Sequence, residues 1–336
     1  MRGESGPARC ARFVVAVVVL ALVSACGGSD DNGGEDATAT GTGAQTAAAP
    51  APDPAPSVEL TRIDREVWTP GPADRSRIPV LLYHGIAPAG AFADPADAVY
   101  GLDPEEFAKQ MVLLDTAGYE TVTLDEFARF VGGEEVQLPP RPVLLTFDDG
   151  RIDSWTGGEG VLSELGFDVV MFIDVGHVED GDPEYLTWPE LQAIEENERW
   201  ELQLHSGCGH QQIKYGPAPD DVGAAYAYEE EGETIEGWRE RVFGDITWGD
   251  ETLSEHISGY QPKAFAPPYG NYGQDGTNDE RIPEELLPWL VKRFGIVFTQ
   301  DVSFFATPGQ EQPVGRLQIT RGLSGGQLHE QLTEEP

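Results

Sequence analysis

An α/β barrel of about seven parallel strands is the fold this sequence predicts, and three observations lead to it. Seven apolar, strand-like runs recur from residue 78 onward. Helical patterns lie between most of them. From Val58 to the end there is no second linker and no internal repeat to divide the chain of 336 residues. Strands alternating with helices pair in parallel, and about seven of them in one domain favour a barrel over an open sheet.

The elements follow in order. Arg2, Arg9 and Arg12 precede FVVAVVVLALVSA, an uncharged run at 13–25. Basic residues ahead of a short apolar run mark a secretory signal, and the run is too short to span a bilayer comfortably. Small residues lead into Cys26 in LVSAC, which resembles the bacterial lipobox, where the signal is cut before a cysteine that becomes lipidated. An ordinary signal peptide with an incidental cysteine is the other reading. Residues 26–57 are rich in Gly, Ala, Pro and acidic side chains and lack the apolar residues that offset ordering entropy. They read as a stalk, and 58–336 as the folded domain.

The strand-like runs are IPVLLYH (78–84), PVLLTF (142–147), FDVVMFI (167–173), WELQLH (200–205), KAFAPP (263–268), GIVFT (295–299) and GRLQIT (315–320). Among the helical patterns, DPEEFAKQMVLLDTAG starts at a capping Asp103 followed by proline and stops at Gly118. TWPELQAIEEN repeats the device with Thr187 as its cap. The acidic run YEEEGETIEGWRE (228–240) reads as a solvated helix or insertion.

Charge and cysteine content narrow the classes. With 59 acidic against 21 basic side chains, the formal net charge is −38. Such a surface repels nucleic acid and anionic headgroups, so no nucleic-acid partner is expected, and it attracts cations. Cys10, Cys26 and Cys208 are the only cysteines, so stability has to come from a core. No feature indicates an oligomer, and a monomer is expected.

In parallel barrels chemistry gathers at the carboxyl ends of strands. His84, Asp148, Asp149, His205 and His210 all fall there. The glycines of HSGCGH let the loop fold back, so both imidazoles can face one point. Two histidines and a carboxylate suit a divalent cation that keeps an open position. His-x4-His alone is a weak signal; the adjacent carboxylates strengthen it. One of them would bind the ion while the other takes a proton from water. FAPPYGNYG (265–273), stiffened by prolines and opened by Gly270, could present backbone N–H groups to a developing oxyanion. Cys208, between the histidines, could be a ligand or nucleophile, or a small residue in a tight loop. LHSGCG is not the Gly-x-Ser-x-Gly elbow of serine hydrolases. Trp188, Trp238, Trp248 and Trp289 could offer sugar-stacking rings, with packing as the default.

TFDDG, HSGCGH and APPYG, in that order, resemble the first three motifs of polysaccharide deacetylases of the NodB-homology type (carbohydrate esterase family 4), and the resemblance runs from about Ile78 to Thr320. It implies a distorted (β/α) barrel and metal-dependent removal of acetyl groups from N-acetylated sugars. By position it implies Asp148 as general base, Asp149, His205 and His210 as metal ligands, and the Tyr269 backbone amide as oxyanion donor. Zinc is the ion implied, with cobalt or nickel as alternatives. The histidine spacing looks like the branch acting on β-1,6-linked N-acetylglucosamine polymers. An acetylated extracellular or cell-wall polysaccharide is then the expected partner. The expected location is the outer face of the cell membrane, with the lipid anchor as the one membrane contact.

Two positions depart from the pattern. Ala266 stands where the family often has an arginine paired with the base, and Arg316 or Arg321 could supply that charge from another strand. Arg321 stands where the last motif has a general-acid histidine. His84 is the remaining candidate for the acid by position, with a structural histidine as the alternative. Pro268, His84, Arg316 and Arg321 are accordingly candidate cavity-lining residues. The competing functions are an O-acetyl esterase on xylan or cell-wall glycan, and a carbohydrate-binding barrel impaired in catalysis.

Overall fold

The strands that the sequence marks with unbroken apolar runs line up in a mostly parallel sheet that nearly closes on itself, as expected. The computed structural model describes residues 49–333. The signal-like run, Cys26 and all but the end of the expected stalk lie outside the described residues.

In chain order the strands are β1 (Ile78–Tyr83), β2 (Glu120–Thr121), β3 (Pro142–Phe147), β4 (Val169–Asp174), β5 (Trp200–Ser206), β6 (Gln212–Lys214), β7 (Val222–Ala224), β8 (Ala264–Phe265), β9 (Ile296–Thr299), β10 (Phe305–Ala306), β11 (Val314–Gly315) and β12 (Leu317–Gln318). The helices are α1 (Arg62–Val67), α2 (Pro104–Thr116), α3 (Leu124–Val131), α4 (Ile152–Leu165), α5 (Val175–Asp180), α6 (Trp188–Glu195), α7 (Ile235–His256), α8 (Arg281–Phe294) and α9 (Gly325–Thr333).

The barrel wall runs β1-β3-β4-β5-β8-β9-β11, with β10 antiparallel on the far side of β1. β6 and β7 form a separate antiparallel pair. Closure depends on a short stretch. β11 pairs with β9 through Gly315 and Thr299, and β12 pairs with β1 through Leu317 and Leu81. One residue, Arg316, lies between these pairings and therefore sits at the seam. The run 315–320, expected as one strand, thus divides between two partners. Likewise the run 263–268 shortens to β8, because Pro267 and Pro268 leave the ladder for a single turn of 3₁₀ helix.

Both faces of the wall are buried, which is why the runs show no alternation. Val80, Leu144, Val170, Phe172, Ala266 and Phe298 point to the inner cluster, which α3 plugs with Phe127 and Phe130. Leu81, Leu145, Met171, Ile173 and Leu204 point outward beneath the helices. Each of the larger of these side chains contributes about 1.5–3 kcal/mol by leaving water. Helix starts follow local chemistry: Thr123 and Thr187 form capping boxes with Glu126 and Glu190.

The folded body begins before Val58. Trp155 Nε1 donates to Pro50 O at 2.7 Å and Asp53 N to Thr156 O at 2.8 Å. Ala49 and Ala55 pack against the core. Gly160 permits this approach, since a Cβ there would lie 2.4 Å from Asp53 O.

Candidate functional site

Alternation along β3 turns Leu144, Thr146 and then Asp148 toward the barrel interior. A continued strand would send Asp149 outward. The backbone instead enters the left-handed region at Asp149 (φ 77°) and Gly150 (φ 75°), and both aspartates line one cavity of about 390 Å³. A non-glycine residue in that region costs on the order of 1–2 kcal/mol, the kind of strain that collects at functional sites.

Asp148 is buried and held from the seam. Arg316 Nη1 and Nη2 donate to its two carboxylate oxygens at 2.7 and 2.8 Å. The guanidinium lies 5.4 Å from the Phe172 ring and 5.6 Å from that of Phe298. Burial pushes the Asp148 pKa up, but Arg316, with His205 and His84, outweighs it and holds the carboxyl below its ordinary value. The two-bond fork fixes orientation as well as charge.

Asp149 faces the histidines. His205 Nε2 and His210 Nε2 lie 3.5 and 3.3 Å from its Oδ1, and the donor atoms of all three residues lie within 4.8 Å of one another. That Oδ1 is buried without a hydrogen-bond partner. His205 Nδ1 lies 2.6 Å from Ala266 O; donating there leaves Nε2 with its lone pair toward the cluster, as a ligating imidazole requires. Burial, seconded by His210 and Arg316, lowers the His205 pKa to about 4, so the ring is neutral. Burial works against charge on His210 too, but Asp149 and then Asp174 raise its pKa to about 9. The orphaned oxygen, the oriented His205 ring and the convergence of three donors fit a divalent cation.

Convergence depends on α7. Cys208 N donates to Asp245 Oδ1 at 2.6 Å, and Tyr226 Oη donates to the other carboxylate oxygen. This draws the loop between the histidines against the helix. Only glycine fits the tightest points: a Cβ on Gly207 would lie 2.5 Å from Asp245 O, and one on Gly209 would lie 2.0 Å from the Tyr226 ring.

His84, Arg151, His177, Tyr185, Tyr269 and Gln300 complete much of the lining. His84 Nδ1 is buried without a partner, and its ring centroid lies 5.5 Å from that of Tyr100. Tyr269 has φ 60°, and its ring packs 5.0 Å from that of His210.

Of the four candidate lining residues only His84 lines the cavity, and Arg316 is buried against Asp148. Pro268 is buried in the turn rather than in the cavity wall. Arg321 points away from Asp148: its Nε donates to Ala98 O and its Nη2 to Ala87 O, both at 2.8 Å. Tyr100, His177, Tyr185, Gln300 and Asp245 were not singled out from the sequence. His177 follows a strand end and could have been found by that position; Tyr100 and Asp245 carry no local signal. The four tryptophans considered as stacking rings are all buried or half-buried in packing.

Comparison with known proteins agrees with this architecture. Residues 135–281 match the family model for polysaccharide deacetylases. YxkH, a candidate polysaccharide deacetylase of Bacillus subtilis, is 29% identical over 119 residues, which make up 34% of this chain and 38% of YxkH. A de-N-acetylase from Aggregatibacter actinomycetemcomitans superposes with a TM-score of 0.64 at 18% identity, over 76% of this chain and 99% of its own. IcaB from Ammonifex degensii does so with 0.57 at 21% identity, over 79% and 99%. The deacetylase domain of BpsB from Bordetella bronchiseptica gives 0.59 at 17% identity, over 75% and 98%. Residues 135–281 thus resemble polysaccharide deacetylases, and the solved structures share the fold.

Proposed function

We propose that this chain is an exported, metal-dependent carbohydrate de-N-acetylase, tethered through Cys26, that hydrolyses acetamido groups of an extracellular or cell-wall polysaccharide. The observation that carries the reading is the pairing of two carboxylates with separate surroundings. Asp148 is locked by Arg316, and its neighbour Asp149 joins His205 and His210 in a three-donor cluster at the floor of the same cavity. The family match over residues 135–281 and the de-N-acetylase among the structural neighbours point the same way.

Asp149, His205 and His210 would hold the ion. A divalent cation there supplies Lewis acidity, which makes water nucleophilic near neutral pH and draws charge from a carbonyl oxygen. The residues of the chain do the rest. Asp148, kept ionised by Arg316, takes a proton as water attacks the acetyl carbon. The backbone N–H of Tyr269, presented by its left-handed turn, donates to the oxygen on which charge develops. His84 gives a proton to the sugar nitrogen as the carbon–nitrogen bond breaks, so acetate and an amine leave. Its position fills the role vacated where Arg321 replaces a histidine.

The test is acetate release from N-acetylglucosamine oligomers by the zinc-loaded protein. Asp148→Asn should lower turnover by about 10²–10⁴-fold while zinc binding persists. Wild-type protein that holds zinc but releases no acetate from any N-acetylated glycan would overturn the reading. Export and tethering are supported by the basic residues, the apolar run and LVSAC ahead of the stalk. Cys26→Ser should abolish lipid labelling and release the chain from the membrane.

A further inference from the structure

We infer that Tyr100 and Tyr269 are two glycan-stacking faces on either side of the reacting centre, so that the site takes an internal residue of a sugar chain rather than a single sugar. This deepens the carbohydrate reading above and rests on it.

Exposure is the first observation. Among the described residues these are the two aromatic side chains left substantially open to solvent, at 43% for Tyr100 and 47% for Tyr269. The tryptophans and phenylalanines are buried or half-buried. An exposed ring forgoes the stabilisation that burial gives, yet both exposed tyrosines occur at one cavity.

Placement is the second. Tyr100 belongs to the loop after β1, and Tyr269 to the turn after β8. In the sheet, β3, β4 and β5 stand between those strands. Asp148, Asp149, His205 and His210 come from the ends of β3 and β5, and hence lie between the two tyrosines along the wall. Each tyrosine rests on an imidazole of the site: Tyr100 lies 5.5 Å from His84 and Tyr269 lies 5.0 Å from His210, ring centre to ring centre. A sugar whose acetamido group meets the carboxylates has one ring available for each neighbouring sugar. The apolar C–H face of a pyranose suits stacking on tyrosine, and the phenol can reach its hydroxyls. Gln318 and Gln300 line the same cavity, and Gln300 Oε1 has no hydrogen-bond partner.

Order is the third. The loop carrying Tyr100 is stapled by Arg321, whose side chain donates to Ala87 O and Ala98 O and whose backbone N–H donates to Val99 O at 2.9 Å. The guanidinium also lies 5.7 Å from the Phe92 ring within that loop. Arg321 is therefore a positioning residue for Tyr100, which gives the side chain at this motif position a task in glycan binding instead of proton transfer. A fixed ring loses less freedom on binding than a mobile one.

The experiment measures binding, apart from turnover, on the zinc-loaded Asp148→Asn chain. Calorimetric titration would use N-acetylglucosamine and its oligomers of up to five sugars, in β-1,6 and β-1,4 series. Affinity should rise from one sugar to three and then level off. Adding Tyr100→Ala should reduce the pentamer-to-monosaccharide affinity ratio by roughly five- to tenfold, and Tyr100→Phe should largely preserve it. Arg321→Met should lower the same ratio and speed amide hydrogen exchange across residues 87–100. An unchanged ratio in Tyr100→Ala, or affinity independent of length, overturns the inference even where wild-type protein releases acetate. Failure to bind any glycan, together with absent acetate release, overturns the carbohydrate reading and this inference with it.

Discussion

Replacing Arg316 with methionine should unlock Asp148, the proposed base, and destabilise the fold together, and the size of both effects can be worked from the pair. Its side chain is 0% exposed and that of Asp148 3%, with both carboxylate oxygens bonded. Methionine refills the space but leaves a buried carboxylate uncompensated, which costs about 3–5 kcal/mol. Protonation sets a ceiling on the charge part: neutralising a carboxyl of unfolded pKa about 3.9 at pH 7 costs about 4 kcal/mol, at 1.36 kcal/mol per unit. A loss of about 3–4 kcal/mol at pH 7, within that ceiling, is expected.

The sign follows from the two pKa displacements. In wild type the folded Asp148 pKa is lowered, so its stabilisation is present above the unfolded value and is lost as pH falls through the folded one. In the variant, burial prevails and the folded pKa lies above the unfolded one. Stability of the variant then declines as pH rises from about 4 toward neutrality. The gap between the proteins should thus widen between about pH 4 and pH 7. Urea denaturation across that range measures it. Acetate release should fall by about 10²–10⁴-fold at pH 7, with the acid limb moved upward. Arg316→Lys, which keeps charge but not the fork, should lie between. If Arg316→Met stays within about 1 kcal/mol of wild type, well below the cost of breaking a buried pair, and retains its rate at pH 7, Arg316 does not hold the base.

Two further outcomes follow from groups that never meet substrate. Asp245→Ala strands the Cys208 N–H and the Tyr226 hydroxyl; it should cost about 2–3 kcal/mol and weaken zinc affinity by about 10–100-fold, measured by competition with a chromophoric chelator. Unchanged affinity would show that the histidine loop holds its shape without the helix. Glu195 has its pKa raised to about 6 by burial, against the opposing hydrogen bond from Leu202 N. Since folding favours its protonated form, wild type loses stability as pH rises from about 4.5 to about 6. Glu195→Gln keeps the acceptor for Leu202 and should gain about 1 kcal/mol at pH 7, after a discount for partial exposure. It should gain almost nothing near pH 4; an equal gain at both would refute the assignment to charge.

What the sequence shows and what it hides divide along the range of the interactions. PVLLTF reads as a strand because burial on both faces leaves an unbroken apolar run, and the Asp-Asp-Gly after it marks the strand end. The start at Thr187 is legible because its capping box is local, whereas the expected cap at Asp103 makes no side-chain hydrogen bond to the helix and that start is marked by the proline at its first position. Helix α4 is harder to read: WTGGEG packs three glycines into one stretch, against helix propensity. The reason is contact with distant chain, since a Cβ on Gly157 would lie 2.2 Å from Ile86 O and one on Gly160 would strike the segment at Asp53. The same segment, rich in alanine and proline, reads as stalk, although Trp155 binds it.

Arg316 is the clearest case. At the motif position where the resemblance implies an arginine stands Ala266, whose side chain is buried in the inner cluster and whose carbonyl is the partner of His205 Nδ1. The charge arrives from the opposite edge of the wall, through the one residue that separates the β9 pairing from the β1 pairing. Alternation within GRLQIT cannot show that the strand changes partners. Barrel closure, however, requires some residue at that seam, and a residue there beside β1 and β3 is within reach of the carboxylate at the end of β3. The arginine is thus dictated by topology rather than by motif spacing, and the place to look for it in such a chain is where the sheet closes.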